Sequence, residues 1–491
     1  MPPCNFRNAK PSRTAFFAPP ALIALALILG SPIFHSRVLA QTGGSASAAG
    51  MDQAEENKIA KMLADSGAPS VSVAIVNHGA LVYAHAFGNA TVSPDRPADE
   101  HTRYAVGSVS KQFTSAAILL LAQQGKISLD DKVSKYFPDL TRANEITVRE
   151  LLSHTSGYED YAPQDYMIPE WTKPVTPDEI LDKWAKKPLN FDPGTRWQYS
   201  NTNYVLAGRI FEKASGQQLM PFLKKTFFAP LHMDTAGDCS VDKTPQDAIA
   251  YTRFAWGPPR PALRESGGWY FAAGELCMTP SDLARWDVSF LGRKMLSAAS
   301  YEIFESEVHL KNGDRTHYAL GLQLGDLDNI PRVYHGGEVS GFLAENYTYP
   351  TRDAAVIVLS NQDGINLIGP VADEISHWLL EPEKRVAREE ASDQEIQQVS
   401  GILRNFQQGH IDRSLFTSNA NFYFTDQALS DIQNSLGSLG ELKSVVRTRD
   451  ALRGGMEFRF YHVEFEKRGC NISVYFTPDG KYEQFLIEQQ I

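Results

Sequence analysis

The chain has 491 residues, with 47 Lys+Arg against 58 Asp+Glu, a formal net charge of −11, 43% hydrophobic residues and 4 Cys. That length allows two or three domains with at least one large core, and a charged fraction of 21% argues against a mostly disordered chain and against a multi-span membrane protein. The acidic balance, with no basic stripe to neutralise phosphates, also argues against a nucleic-acid partner.

The first residues carry Arg7, Lys10 and Arg13 and no acid, residues 21–30 are a short apolar run, and Val38-Leu39-Ala40 offers the small residues that a signal peptidase reads. This predicts an export signal over 1–40, cleaved after Ala40, and a periplasmic or secreted protein without an integral membrane span. An uncleaved anchor is the alternative, opposed by Pro19, Pro20 and Pro32 in a stretch already short for a span of about 20 residues. Cys4 precedes the apolar run, which argues against a lipoprotein. Cleavage would remove four basic residues and no acid, leaving −15. It would also leave Cys239, Cys277 and Cys470, an odd count with no Cys-x-x-Cys pair, so neither a disulfide framework nor a zinc site is indicated. A Cys239–Cys277 bridge and three small buried thiols both remain open.

Residues 41–51, beginning QTGGSASAAG, read as a flexible spacer. Ile59, Met62 and Leu63 then share one side of a predicted helix over 52–65, and β-rich runs at 71–76 and 81–87 flank Asn77-His78-Gly79 as a hairpin. Helical patterns follow at 113–123, 146–154, 177–186, 201–214 and 280–292. Strand signals return at 318–324, 346–349 and 354–359, and 364–380 reads as a closing helix. Strands at both ends with helices between predict an antiparallel sheet whose first and last strands meet, packed with a helical subdomain, an α/β (α+β) architecture over 52–382. The charged run 383–392 reads as a linker. Residues 393–491 read as a separate α+β domain, with two helices and then strands at 456–465, 471–476 and 482–488, a turn at Pro478-Asp479-Gly480 preceding the last.

Three short patterns could carry chemistry. Ser108 and Lys111 stand three apart where an apolar helix begins, so amine and hydroxyl share a face, beside the positive end of the helix. A serine needs an adjacent base to act as a nucleophile, and a lysine desolvated by neighbours such as Phe113 and Ile118 can become one. In Tyr199-Ser200-Asn201, the tyrosine could pass a proton if cationic neighbours depress its pKa, and the Asn201 amide could grip a substrate carbonyl and orient the lysine. At His335-Gly336-Gly337, after the β-rich run 330–334, two glycines allow a substrate backbone to come close, and the N–H of Glu338 could join that of Ser108 as an oxyanion donor. His335 would donate to the tyrosine oxygen or to a substrate carboxylate. Taken singly, each pattern has an ordinary reading: a capping serine with a surface lysine, a loop ending in a capping asparagine, and a hairpin turn with a solvated histidine.

Together and in this order the patterns are far more specific. GSVSK, the LLSHTSG run at 151–157, PGTRWQYSNTNY at 193–204, the segment at 272–286 and HGG resemble the serine hydrolases of the class C β-lactamase and penicillin-binding-protein family, over roughly 52–382. The resemblance implies an antiparallel sheet with a helical subdomain and a site between them. It implies Ser108 as the acylated nucleophile, Lys111 and Tyr199 as the proton-handling pair, Asn201 as substrate holder and 335–337 as the third-strand motif, with no metal or other cofactor. Class C β-lactamases have Lys-Thr-Gly where this chain has His335-Gly336-Gly337, which is closer to D-specific peptidases and esterases. Loss of that ammonium argues against efficient β-lactam hydrolysis.

The expected activity is therefore hydrolysis of a small amide or ester, of D-amino-acid peptide, ester or β-lactam type. A non-catalytic module that binds penicillin or peptidoglycan peptides is the alternative. His154 with Ser156 invites a triad reading, but a histidine near a helix C-terminus usually serves that end. No Gly-x-Ser-x-Gly elbow and no metal-ligand spacing occur. The last domain resembles, in pattern alone, the cone-shaped fold typified by nuclear transport factor 2, with a structural or oligomerisation role as the default expectation.

Overall fold

Helix α1 (Gln53–Ser66) starts where the Asp52 side chain accepts the Glu55 N–H at 2.9 Å and ends at Gly67, whose φ of +67° closes the helix in the left-handed region. These features belong to a computed structural model that describes residues 50–381, 393–453, 456–477 and 479–489. The expected signal over 1–40, spacer residues 41–49 and the linker over 383–392 lie outside the described residues.

Strand β1 (Ser70–Asn77) is buried almost end to end because it runs through the middle of a sheet covered on both faces. Val71, Val73 and Ile75 face one apolar cluster, Ala74 and Val76 the other, as the two-residue period of a strand requires. The other strands of the sheet are β2 (Ala80–Val92), β3 (Asp95–Pro97), β4 (Gln323–Leu327), β5 (Ile330–Val339), β6 (Phe342–Tyr349) and β7 (Ala354–Ser360). Among the described residues the order is β3-β2-β1-β7-β6-β5-β4, and every pairing is antiparallel. First and last strands meet as expected, with Val71 opposite Ser360 and Val76 opposite Ala355.

Helix α1 and the closing helix at Ile368–Leu380 cover one face. The other face carries the helical layer, including α2 (Lys111–Gln123), α3 (Val148–Leu152), α4 (Asn201–Ser215) and α5 (Pro280–Leu291). A short three-stranded sheet of 104–105, 237–238 and 276–278, unmarked by any sequence pattern, holds the Ser108 turn from below. Cys277 within it is bonded to Cys239, the residue after the 237–238 strand, so these two form a bridge and are not free thiols. Two expected strands are displaced. Residues 318–322 run as irregular chain and the strand occupies 323–327, while β5 extends to Val339, so His335-Gly336-Gly337 lies inside a strand and not after one.

Residues 393–489 supply helices α6 (Asp393–Gln407), α7 (Ser418–Tyr423) and α8 (Asp426–Gly437), one more than the sequence indicates. Their sheet is a meander of β8 (Leu442–Arg453), β9 (Met456–Phe465), β10 (Gly469–Phe476) and β11 (Tyr482–Gln489). Strand β8 has no counterpart in the sequence reading. The apolar cluster on the helical face of the large sheet continues into this segment through residues such as Phe406, Tyr461 and Phe485. Among the described residues, no helix is long and apolar enough to cross a membrane.

Candidate active site

Residues Gly107–Ser110 form a single tight turn, and Lys111 opens α2 behind it. The turn brings Lys111 Nζ to 2.9 Å from Ser108 Oγ, while Nζ also meets Asn201 Oδ1 and the Ala273 carbonyl, each at 2.8 Å. The lysine is 0% exposed, and burial drives its pKa well below the usual ammonium value; the Arg453 charge pushes the same way and Asp160 opposes. The groups that enclose Nζ are the rings of Tyr199 and Tyr204, with centroids 5.0 and 5.4 Å away. Phe113, expected to do this, packs on Trp286 and Phe228 instead, and Ile118 lies in the helical core. Phe113, two residues on, is turned to the opposite side of α2, whereas Ile118, seven residues on, shares the Lys111 face but stands about two turns further along the helix.

Tyr199 stands before α4 with its hydroxyl buried. Burial holds its pKa above the ordinary 10; contact with the Ser108 hydroxyl and the charge of Arg453 pull it down without overcoming that effect. Cationic neighbours thus do not lower this tyrosine below its free value as the sequence suggested, and it is a neutral phenol. His154 packs against it, ring centroids 4.2 Å apart with the planes tilted by 36°, and accepts the Ser200 N–H on Nδ1 at 3.1 Å. Ser156 Oγ is taken up by Asn203 Oδ1 at 2.6 Å, so His154 and Ser156 make no triad. Nor does the His154 side chain serve the end of its helix; its φ of +60° turns it under the tyrosine.

Asn201 is held between two partners. Its Oδ1 faces Lys111, while its backbone N–H and Nδ2 donate to Asp160 Oδ1 at 2.9 and 3.1 Å, with Ala162 O at 3.3 Å from Nδ2. The donors expected for a substrate carbonyl are therefore engaged by Asp160, a residue that no sequence pattern marked.

Strand β5 closes the site by backbone contact. A Cβ on Gly337 would stand 2.0 Å from the Val106 carbonyl oxygen and 3.2 Å from Ser108 N, and one on Gly107, at φ +48°, would stand 2.7 Å from Glu338 N. Two glycines thus let the Ser108 and Glu338 amides share one corner of the cleft. What comes close to them is the chain's own turn, where the sequence suggested a substrate backbone. His335 Nε2 pairs with Tyr318 Oη at 2.9 Å and its Nδ1 with the Gly336 carbonyl at 2.5 Å, so the tyrosine oxygen it bonds is that of Tyr318 and not of Tyr199. Burial lowers its pKa to about 3, helped by Lys111. As the carbonyl can only accept, Nδ1 carries the proton and Nε2 accepts from Tyr318.

The cleft in front of Ser108 has a volume of about 450 Å³. One wall is Tyr199, Asn201 and 335–338; the facing wall includes Arg449, Arg453, Tyr475 and Glu488 of the C-terminal segment.

A model of the family described as Beta-lactamase matches residues 56–374, more than half of the sequence. The chain belongs to the beta-lactamase family. Among relatives in this family, "Penicillin-binding protein 4*" of Bacillus subtilis is 30% identical over 308 residues, 58% of this chain and 66% of that one, just under two thirds of its length. The octameric penicillin-binding protein homologue from Pyrococcus abyssi shares the beta-lactamase fold with a TM-score of 0.61 at 22% identity, over 88% of this chain and 99% of that one. A D-stereospecific amidohydrolase from Streptomyces sp. aligns with a TM-score of 0.58 at 23% identity, over 68% and 100%. This beta-lactamase-family chain thus shares its fold with both solved structures.

Proposed function

We propose that the protein is an exported serine hydrolase that cleaves a small amide or ester through an acyl-Ser108 intermediate. One observation carries this reading. Lys111 Nζ has two acceptor-only partners, Asn201 Oδ1 and Ala273 O, which use both hydrogens of a neutral amine and leave its lone pair for the Ser108 O–H at 2.9 Å. The burial that disfavours the ammonium supports the same state.

In this mechanism Lys111 takes the serine proton as Oγ bonds to the substrate carbonyl carbon. The carbonyl π electrons move to oxygen, and the amides of Ser108 and Glu338 hold the resulting oxyanion. As the tetrahedral species collapses, the bond to the leaving nitrogen or oxygen breaks. Neutral Tyr199 gives that atom its proton and regains one from the Lys111 ammonium. Water then attacks the acyl-serine with Lys111 again as base, releasing the acid and restoring Ser108. His335, neutral and bonded to Tyr318, supports β5 and offers no cation to a substrate carboxylate. That favours D-amino-acid amides, peptides or esters over efficient β-lactam turnover, in keeping with the D-stereospecific amidohydrolase among the structural neighbours. The Cys239–Cys277 bond supports an oxidising compartment.

Incubation with a fluorophosphonate and with a β-lactam, followed by intact mass and peptide mapping, is expected to place an adduct on Ser108. No adduct from either reagent would refute the reading.

A further inference from the structure

The C-terminal segment does more than wall the cleft. Arg453, the last residue of β8, reaches across it and donates from Nε to Asp160 Oδ2 at 3.1 Å and from Nη2 to Ala162 O at 3.0 Å. Its Nη1 meets Tyr475 Oη at 3.1 Å and Asp165 Oδ1 at 3.4 Å, and its guanidinium carbon lies 5.1 Å from the centre of the Tyr199 ring. A β-bridge ties the backbones of Tyr199 and Arg453 together. The Asp160 carboxylate is wholly buried, and its other oxygen holds Asn201. From β8 to the nucleophile the path is continuous: Arg453, Asp160, Asn201, Lys111, Ser108.

We infer that Arg453 is a positioning residue of the Ser108 site, through which the C-terminal segment fixes Asp160 and Asn201 and offsets the buried negative charge beside Lys111. The physical argument is one of charge. A buried carboxylate near an amine favours the ammonium, which cannot take the serine proton; a guanidinium paired with that carboxylate removes most of the effect. The opposite influences of Asp160 and Arg453 on Lys111 agree with this. Other titratable or charged groups around Lys111 are His154 just after α3, Tyr199 just before α4, Tyr204 within α4, and His335 from β5. Both histidines are held neutral by burial, so neither replaces Arg453 as the compensating charge.

The inference rests on the hydrolase reading, and the rate of Ser108 labelling by a fluorophosphonate, followed by intact mass across pH, tests the two separately. Arg453→Gln is expected to slow labelling by about 10-fold or more near neutral pH and to move the acid limb of the rate up by about one pH unit or more. Arg453→Lys restores part of the rate. Adding Asp160→Asn to Arg453→Gln moves the limb back down, since the uncompensated carboxylate is gone. Wild-type labelling with an unchanged rate and limb in Arg453→Gln overturns the inference alone. So does a slower rate with an unmoved limb, which would mark a purely structural role. If Arg453→Gln fails to fold, an Arg453→Lys limb identical to that of Arg453→Lys with Asp160→Asn also overturns it. No adduct on the wild-type protein from the fluorophosphonate or from a β-lactam refutes the hydrolase reading instead.

Discussion

The two walls of the cleft are built on different principles. On the Ser108 side, β5 and the 107–110 turn meet backbone to backbone, close enough that a single added methyl at Gly337 would collide with Val106. On the C-terminal side, a long arginine spans the gap and acts through an ion pair. The first wall fixes the atoms that meet the reacting carbonyl; the second sets the charge in which Lys111 works. Backbone contact gives precision with almost no tolerance, whereas an ion pair is tolerant in position and sensitive to the removal of either charge.

Breaking the first wall should cost most. Ser108→Ala and Lys111→Met are expected to lower the kcat for p-nitrophenyl ester hydrolysis by about 10³-fold or more with melting temperatures near wild type; an activity within tenfold would remove the pair from the mechanism. Gly337→Ala pushes the strand off the turn and displaces one oxyanion donor, so kcat should fall by about 10²–10³-fold while KM changes less.

A pH profile sharpens the comparison. Lys111 must be neutral to act, and its pKa is lowered, so kcat/KM should fall as pH drops through that lowered value, with the acid limb well below 10.5. His335, at about 3, and Tyr199, held above 10, should add no limb between pH 5 and 9. A limb in that window that vanishes in His335→Gln would contradict the assignment of the neutral imidazole.

The smallest effects belong to the C-terminal side, away from Arg453. Cys470 is buried, with its thiol pushed up to about 12, so a maleimide should label it only after denaturation. Gly401 sits inside α6 with ordinary helical backbone and open space where a side chain would go. Gly401→Ala should therefore raise unfolding stability by about 0.5–1 kcal/mol and leave kcat unchanged.

Much of this protein is legible in its sequence because period and spacing act locally. The valine- and isoleucine-rich β1, the amphipathic helices, and the three-residue step from Ser108 to Lys111 each follow from neighbours in the chain. The expectation of a site between the sheet and its helices comes instead from the family resemblance carried by the short motifs. Residues acting across long separations were invisible. Asp160 sits in an irregular loop without a motif, and β8 carries no strand signal because Arg447, Arg449 and Arg453 interrupt its apolar period. Only folding puts Arg453 against Asp160, 293 residues apart. Likewise, the residue types predict a desolvated lysine, but the tertiary structure decides that Tyr199 and Tyr204 enclose it and that burial keeps Tyr199 neutral. Chain-local geometry supplied the reacting groups; the charges around them depend on which distant segments fold against them, because electrostatic and desolvation effects follow distance in space and not along the chain.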